Sequence, residues 1–499
     1  MNKSWIRLLT ATMVVLFSIT LAADKVDESQ YGVYQPGGYL IGFTDPDSRV
    51  IFKNKQVTFQ PNGLYVIGFS REDEGIQEIT FVDRVGATRT QLLDIGTRTY
   101  NIQRINGVQS SKVSPPKDVE QRIALEYLKV KEIRKLQSNQ TSWQKPFIWP
   151  VYGPITGVYG SQRILNGVKK NPHFGVDVAR ARGTPVFAPN SGRVVLADDL
   201  YFSGNTVIID HGIGVLSTLM HMDDILVSTG DPVRQGAIVG HVGSTGRSTG
   251  PHLDWRINLN DIRVDPEFWV PPMASICDIL DKDQDFKSKE VVILLHGLDH
   301  KGSTMEQLGQ KLFEEGYAVC SQHYSSVHHS LEVQSGYLAN AIAKTQQSGY
   351  SKVHVLTLGV GGLIARYYLQ HISLPGEGAV IMLDPPMNGI NHADQFGRYR
   401  WFKKIKGPAA INLSTNSKIL SNQLSPIRSD VGIITTSIKP DPRFSFLFQD
   451  RSAKTLSMLS LTPPETQRVN RQKNPTLTLN SQRVFQQIQY FLNHQVFMK

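Results

Sequence analysis

The sequence predicts a multidomain chain: an all-β N-terminal sandwich, a β-rich central domain and a C-terminal α/β domain. Three observations predict it. The 499 residues correspond to about three domains at ~150 residues each. Short β-rich runs separated by turn residues dominate the chain as far as Pro271-Pro272. Beyond that point apolar strands alternate with helical patterns, which means a mainly parallel sheet. A hydrophobic content of 40% sustains packed cores, and a net charge of +10 on only 19% charged residues suits an anionic partner such as a cell-wall or membrane surface. No basic block is long enough, or interleaved enough with aromatics, to argue for nucleic acid.

Residues 1–23 carry Lys3 and Arg7, an apolar run from Leu8 to Leu21, then Ala22 and Ala23, the layout of a secretory signal peptide. The run is broken by Thr and Ser and falls short of the ~20 residues of a spanning helix. No Cys follows to take a lipid. The expectation is a periplasmic or secreted protein without a transmembrane anchor after cleavage.

Residues 24–112 hold runs such as Gly-Tyr-Leu-Ile-Gly-Phe43 and Leu-Tyr-Val-Ile-Gly-Phe69 between turn segments, the spacing of a small sandwich with no catalytic constellation. Residues 113–146 change character. There Val119, Ile123, Tyr127, Val130, Ile133 and Leu136 recur at steps of three or four, which predicts an amphipathic linker helix. Residues 147–272 are strand-rich with many Gly, 273–288 form a charged linker, and 289–499 carry the strand–helix alternation.

The chemistry concentrates between Pro172 and Trp255, in His173-x-x-x-Asp177 and in Gly-Pro-His252-Leu-Asp254-Trp. A hydrolytic zinc takes three ligands from His and carboxylate and leaves a fourth position to water. His173 and Asp177 supply two. His252 and Asp254, at i and i+2, share one face of a strand, so one can bind metal while its neighbour serves the reacting carbonyl. The Gly-rich run Gly240 to Gly250 lacks the Lys-Ser/Thr of a nucleotide-binding loop and opens no helix. It suits close approach of a peptide to backbone. His211 and His241 read as histidines satisfying backbone near strand ends.

Residues from about Trp149 to Pro271 resemble the lysostaphin/LytM-type zinc metallopeptidases that cut peptide bonds in bacterial peptidoglycan. The likeness rests on Gly157-Val-Tyr-Gly-Ser-Gln-Arg, His173-Phe-Gly-Val-Asp, Gly183-Thr-Pro-Val-Phe-Ala-Pro, Ile209-Asp-His-Gly and Gly243 to Gly250. It implies one Zn2+ per chain on His173, Asp177 and a third ligand, with His221 of Leu-Met-His-Met and His252 as catalytic histidines. The family's closing His-x-His reads His252-x-Asp254 here, so the third ligand becomes a carboxylate. Zinc accepts that ligand at about 2.0–2.2 Å, but the added negative charge weakens its Lewis acidity.

The C-terminal region resembles the lipase-like branch of the α/β hydrolases over about 289–496. Leu-His296-Gly297 is similar to the oxyanion loop and Leu-Asp384-Pro-Pro-Met-Asn-Gly to that branch's Gly-Pro-Pro-Asn-x-Gly. The nucleophile elbow, which should read Gly-x-Ser-x-Gly, reads Thr357-Leu-Gly359-Val-Gly361-Gly. Gly359 therefore stands at a degenerate nucleophile position, and Pro475-Thr-Leu477 replaces the final His segment. What persists is a hydrolase scaffold without its triad. Thr357 and Ser303 lack an identifiable His partner. Cys277 and Cys320 could pair in an exported chain, while a buried free thiol is also normal at Cys320.

Taken together these readings predict an exported zinc metalloendopeptidase whose partner is peptidoglycan. The rival is a weak or inactive wall-binding protein that positions or activates other murein hydrolases or envelope proteins. An active C-terminal esterase is the least favoured.

Overall fold

The computed structural model describes residues 30–281, 290–297, 303–324, 331–369, 372–385, 427, 429–435, 456–460, 466–467, 476–477 and 482–498. Residues 1–23, with the expected signal peptide, and most of the Asp384-to-Gly389 segment lie outside them. No helix among the described residues is long and apolar enough to cross a membrane.

The N-terminal runs form two antiparallel sheets. Tyr31–Val33, Tyr39–Phe43 and Leu64–Gly68 make one; Arg49–Phe52, Lys55–Val57, Gly75–Val82 and Thr88–Ile95 make the other. In Thr88–Ile95 Gln91, Leu93 and Ile95 point inward between exposed neighbours, the period-2 pattern of a strand with one wet face. Leu40, Val50, Tyr65, Ile67, Phe69, Ile79 and Leu93 form a shared core.

The next strand crosses a boundary that the sequence placed later. Ile102–Ile105 pairs in parallel with Gln162–Leu165, which is itself antiparallel to Val168–Lys169. This segment of the N-terminal region thus forms one wall of the central cleft. The linker helix runs over Glu120–Ile133. Val130 and Ile133 pack on Leu196, Leu200 and Ile208, and Arg122 and Lys129 pair with Asp199 and Asp198. Tyr127, expected on the buried face, is 62% exposed. Only the part of the stripe facing the Gly192–Leu200 strand is covered.

The central region is a 10-stranded sheet with Gly192–Leu200, Gly204–Gly212, Val215–Ile225, His252–Leu259 and Val176–Ala179 adjacent in that order. The central strand Val215–Ile225 is buried along most of its length, as its apolar run requires.

In the C-terminal region Ala318–Gln322, Glu290–Leu295, Lys352–Leu358, Val380–Leu383, Val431–Thr435 and Leu456–Ser460 are successive parallel neighbours. The short Ile279–Leu280 strand adds antiparallel to the Ala318–Gln322 edge. Helices Ser303–Glu314, Leu331–Gln347, Gly361–Leu369 and Gln482–His494 accompany them. Cys277 and Cys320 are disulfide-bonded with Cα atoms 5.5 Å apart, fastening that edge strand.

The central and C-terminal regions share one apolar core in which Trp149, Val178 and Trp255 join Leu338, Ile342 and Val355. Asn340, fully buried on the Leu331–Gln347 helix, is the polar key of this junction. Its side chain accepts from Trp149 N at 2.9 Å and donates to Phe147 O at 3.1 Å and Gly336 O at 2.8 Å. Removing it would orphan a buried amide at a cost of about 1–3 kcal/mol.

Candidate metal centre and its cleft

Strand register builds the site. Val176–Ala179 runs antiparallel to His252–Leu259 with Asp177 opposite Asp254 and Ala179 opposite His252. Directly opposed residues project to the same face, and the period-2 rule puts His252, Asp254 and Arg256 on one face of their own strand. Asp177 and Asp254 are therefore brought together by pairing. On the other side of Asp177 lies Gly157. A Cβ there would run into the Asp177 carboxylate, so the adjoining strand needs glycine at that point.

His173 enters from the loop before the Val176–Ala179 strand. Its backbone is pinned by a bond from His173 N to Ser161 O at 2.8 Å and from Gly160 N to His173 O at 2.6 Å. Its Nε2 lies 3.1 Å from Asp177 Oδ1 and 3.2 Å from Asp254 Oδ2. Neither Nε2 nor Asp177 Oδ1 makes a well-directed hydrogen bond, although both are buried. One ligand atom from each of His173, Asp177 and Asp254 falls within 4.8 Å of the others. Buried polar atoms left unaligned around a common point fit a cation between them, and one imidazole with two carboxylates is a donor set that zinc accepts.

Arginines hold both carboxylates. Arg256 donates to Asp254 through Nε at 3.0 Å and Nη2 at 2.7 Å, and Arg163 Nη2 donates to Asp177 Oδ2. Burial pushes the Asp254 carboxyl up, but Arg256 and His173 more than offset it and hold it well below the usual range. Asp177 is likewise held down against burial by His173 and Arg163. Burial opposes protonation of His173, and the two carboxylates outweigh it, so its pKa is raised.

The catalytic candidates stand beside this centre, with ring centroids of His221 and His252 4.9 Å apart. His221 occupies an irregularity of the Val215–Ile225 strand, where Asn205 pairs with Met222 and Val207 with Leu219. Its φ is +63°, uncommon for a side-chain-bearing residue and a feature of functional positions. His221 Nδ1 lies 2.8 Å from Thr245 O and His252 Nδ1 2.8 Å from Gly250 O. A carbonyl only accepts, so each Nδ1 carries a proton, and in the neutral ring Nε2 is the atom with the lone pair. His252 Nε2 is 3.8 Å from Asp177 Oδ1. Burial, then the neighbouring His252, pushes His221 down to about 4, so it is neutral at pH 7.

His211 and His241 lie outside this group. His211 is fully buried, with Nδ1 2.8 Å from Ser191 O and Nε2 2.9 Å from Ser217 Oγ. His241 pairs with Asp224 at 2.8 Å. Sequence reasoning missed the arginines as site residues. The alternation Asp254-Trp-Arg256 was the available signal, since on a strand it sets a cation beside the carboxylate.

In the C-terminal sheet, Gly359 forms the turn between the Lys352–Leu358 strand and the Gly361–Leu369 helix, at φ +54°. Among the described residues a Cβ there would meet only Gly297 Cα, at 3.9 Å. His296 is buried and stacks on Tyr324 at 4.3 Å.

Comparison with known proteins identifies the central region. Residues 171–266 match Peptidase family M23. The chain is 38% identical over 115 residues to peptidoglycan DD-endopeptidase ShyA of Vibrio cholerae, over 23% of this chain and 27% of that protein. It is 37% identical over 122 residues to the murein hydrolase activator EnvC of Escherichia coli, over 24% of this chain and 28% of that one. The chain thus spans little more than a quarter of the length of either relative. Among solved structures, a putative peptidase M23 from Pseudomonas aeruginosa is 29% identical, with 47% of this chain and 94% of that chain covered and a TM-score of 0.38.

Proposed function

We propose that the Peptidase family M23 domain at residues 171–266 makes this chain an exported zinc metallopeptidase that hydrolyses peptide bonds of peptidoglycan. The observation that carries the reading is the convergence of His173, Asp177 and Asp254 within 4.8 Å beside two imidazoles that present free Nε2 atoms. Zinc held there would lower the pKa of a bound water toward ~7 and polarise the scissile carbonyl.

The chain's own groups do the rest. His221, neutral at pH 7, has an Nε2 lone pair that can take a proton from the attacking water. His252, once protonated, donates toward the developing oxyanion. Arg256 and Arg163 orient the two carboxylates and offset their charge, which restores Lewis acidity that a second carboxylate would otherwise reduce. The stretch 1–23 serves as the export signal, and the C-terminal region serves as a hydrolase-type scaffold with Gly359 in place of a nucleophile.

The test is metal content of the purified mature protein together with muropeptide release from isolated sacculi, for wild type, Asp254→Ala and Asp254→His. The reading expects about one zinc per chain and cleavage in wild type, with both lost in Asp254→Ala.

A specific observation favours a second reading. Both Asp254 oxygens accept from Arg256, so the guanidinium can serve as the carboxylate's permanent countercharge, and one aligned relative is named a murein hydrolase activator. A metal-free, inactive wild type that gains both zinc and cleavage in Asp254→His would establish that regulatory reading and overturn the enzyme.

A further inference from the structure

The cleft containing the centre has a volume of about 900 Å3 and carries Arg163, Arg247, Arg256 and Arg263 in its walls. Two of these guanidiniums are committed, Arg163 to Asp177 and Arg256 to Asp254. The other two are not. Among the described residues neither the Arg247 nor the Arg263 guanidinium has a hydrogen-bond or ion-pair partner. Each lies instead on an aromatic face: Arg247 is 4.7 Å from the Phe202 ring and Arg263 is 4.8 Å from the Phe174 ring.

Stacking fixes the plane of a guanidinium while leaving its edge N–H groups free to donate. Both side chains are half-buried, and donors taken partly from water are costly until something accepts from them. Burial first, then the neighbouring Arg256, pushes the pKa of both down, that of Arg263 to about 9. They stand at different ends of the cleft. Arg247 belongs to the glycine-rich loop leading into His252, and Arg263 to the Ile262–Val264 strand, which pairs with the far end of His252–Leu259. Metal in the centre would add positive charge to the same cleft, so the group that suits it is an anion with planar, forked acceptors, a carboxylate.

We propose that Arg247 and Arg263 form a two-part carboxylate-binding subsite, one part at each end of the cleft that holds the metal centre, which selects acidic peptides, those bearing free carboxylates on the segments flanking the scissile bond, over neutral ones. The inference rests on the peptidase reading for its substrate, but the subsite itself needs neither metal nor turnover.

The experiment therefore measures binding of the EDTA-treated full-length mature protein to isolated sacculi by co-sedimentation. Native sacculi are compared with sacculi whose carboxylates have been amidated by carbodiimide and ammonia. Amidation should weaken wild-type binding about tenfold, the scale of one charge-assisted contact. Arg247→Gln with Arg263→Gln should bind native sacculi about tenfold more weakly and lose the response to amidation. Arg84→Gln with Arg193→Gln removes the same charge from exposed positions outside the cleft and should behave as wild type.

If the glutamine pair does not fold, as judged by its thermal midpoint, Arg247→Lys with Arg263→Lys decides. It keeps the charge, loses the fork, and should bind native sacculi about threefold more weakly. A glutamine or lysine pair that responds to amidation as wild type does overturns the subsite, as does a wild type indifferent to amidation. Intact binding with no muropeptide release from the zinc-loaded protein would overturn the peptidase reading and leave the subsite standing.

Discussion

Replacing Arg256 by Leu tests how the centre tolerates its second carboxylate. Asp254 is completely buried, and Arg256 donates to both of its oxygens at 3.0 and 2.7 Å. Removing one partner of a buried ion pair strands the other's charge and costs about 3–5 kcal/mol. In the metal-free protein the remaining countercharge is His173, 3.2 Å from Asp254 Oδ2, so the cost should fall toward the lower end, about 3 kcal/mol. A bound cation replaces the missing positive charge, and the loss at saturating zinc should therefore be smaller than in EDTA. Urea unfolding followed by tryptophan fluorescence reports on this place, because Trp255 lies between Asp254 and Arg256 and packs 5.6 Å from Trp149. Adding Asp254→Asn to Arg256→Leu removes the stranded charge and should recover part of the loss in EDTA. A loss below about 1 kcal/mol in EDTA, or an equal loss with and without zinc, would refute the idea that the guanidinium and the cation share one electrostatic task.

Acid sensitivity has an identifiable source in His211, whose pKa burial pushes down to about 4. Between pH ~6.5 and 4 the unfolded chain binds a proton that the folded site refuses, so this stability is complete above pH ~6.5 and lost as pH falls toward 4. In total it amounts to about 3 kcal/mol. His221 behaves alike, so His211→Gln should lower the slope of unfolding free energy against pH in that window by about 1.4 kcal/mol per unit without abolishing it; an unchanged slope contradicts the assignment. Cys277→Ser opens a bridge spanning 43 residues and should cost about 4 kcal/mol on the chain-entropy account, read as a denaturant midpoint shift absent when wild type is measured under reducing conditions. Gly157→Ala places a methyl against the Asp177 carboxylate and should weaken zinc affinity roughly 10–100-fold, measured by chelator competition, while Gly167→Ala, at an exposed open turn, leaves affinity unchanged.

The types of the candidate metal-centre donors could be proposed from the chain because the relevant spacings are short and local. His252 and Asp254 share a strand face at i and i+2, and the five-residue reach from His173 to Asp177 is fixed by one bend and one strand start. The parallel C-terminal sheet was also legible, since buried parallel strands are continuous apolar runs such as Val291 to Leu295. What only the tertiary structure decided is what depends on partners distant in sequence. Asp177 meets Asp254 through antiparallel register; His221 reaches the centre through a positive φ in an irregular strand; and Arg247 and Arg263 acquire their aromatic faces from Phe202 and Phe174. The disulfide and the Asn340 junction have the same origin. Local periodicity determines which way a side chain points along its own element, and long-range pairing determines what stands opposite it. The electrostatics of this cleft belong to the second.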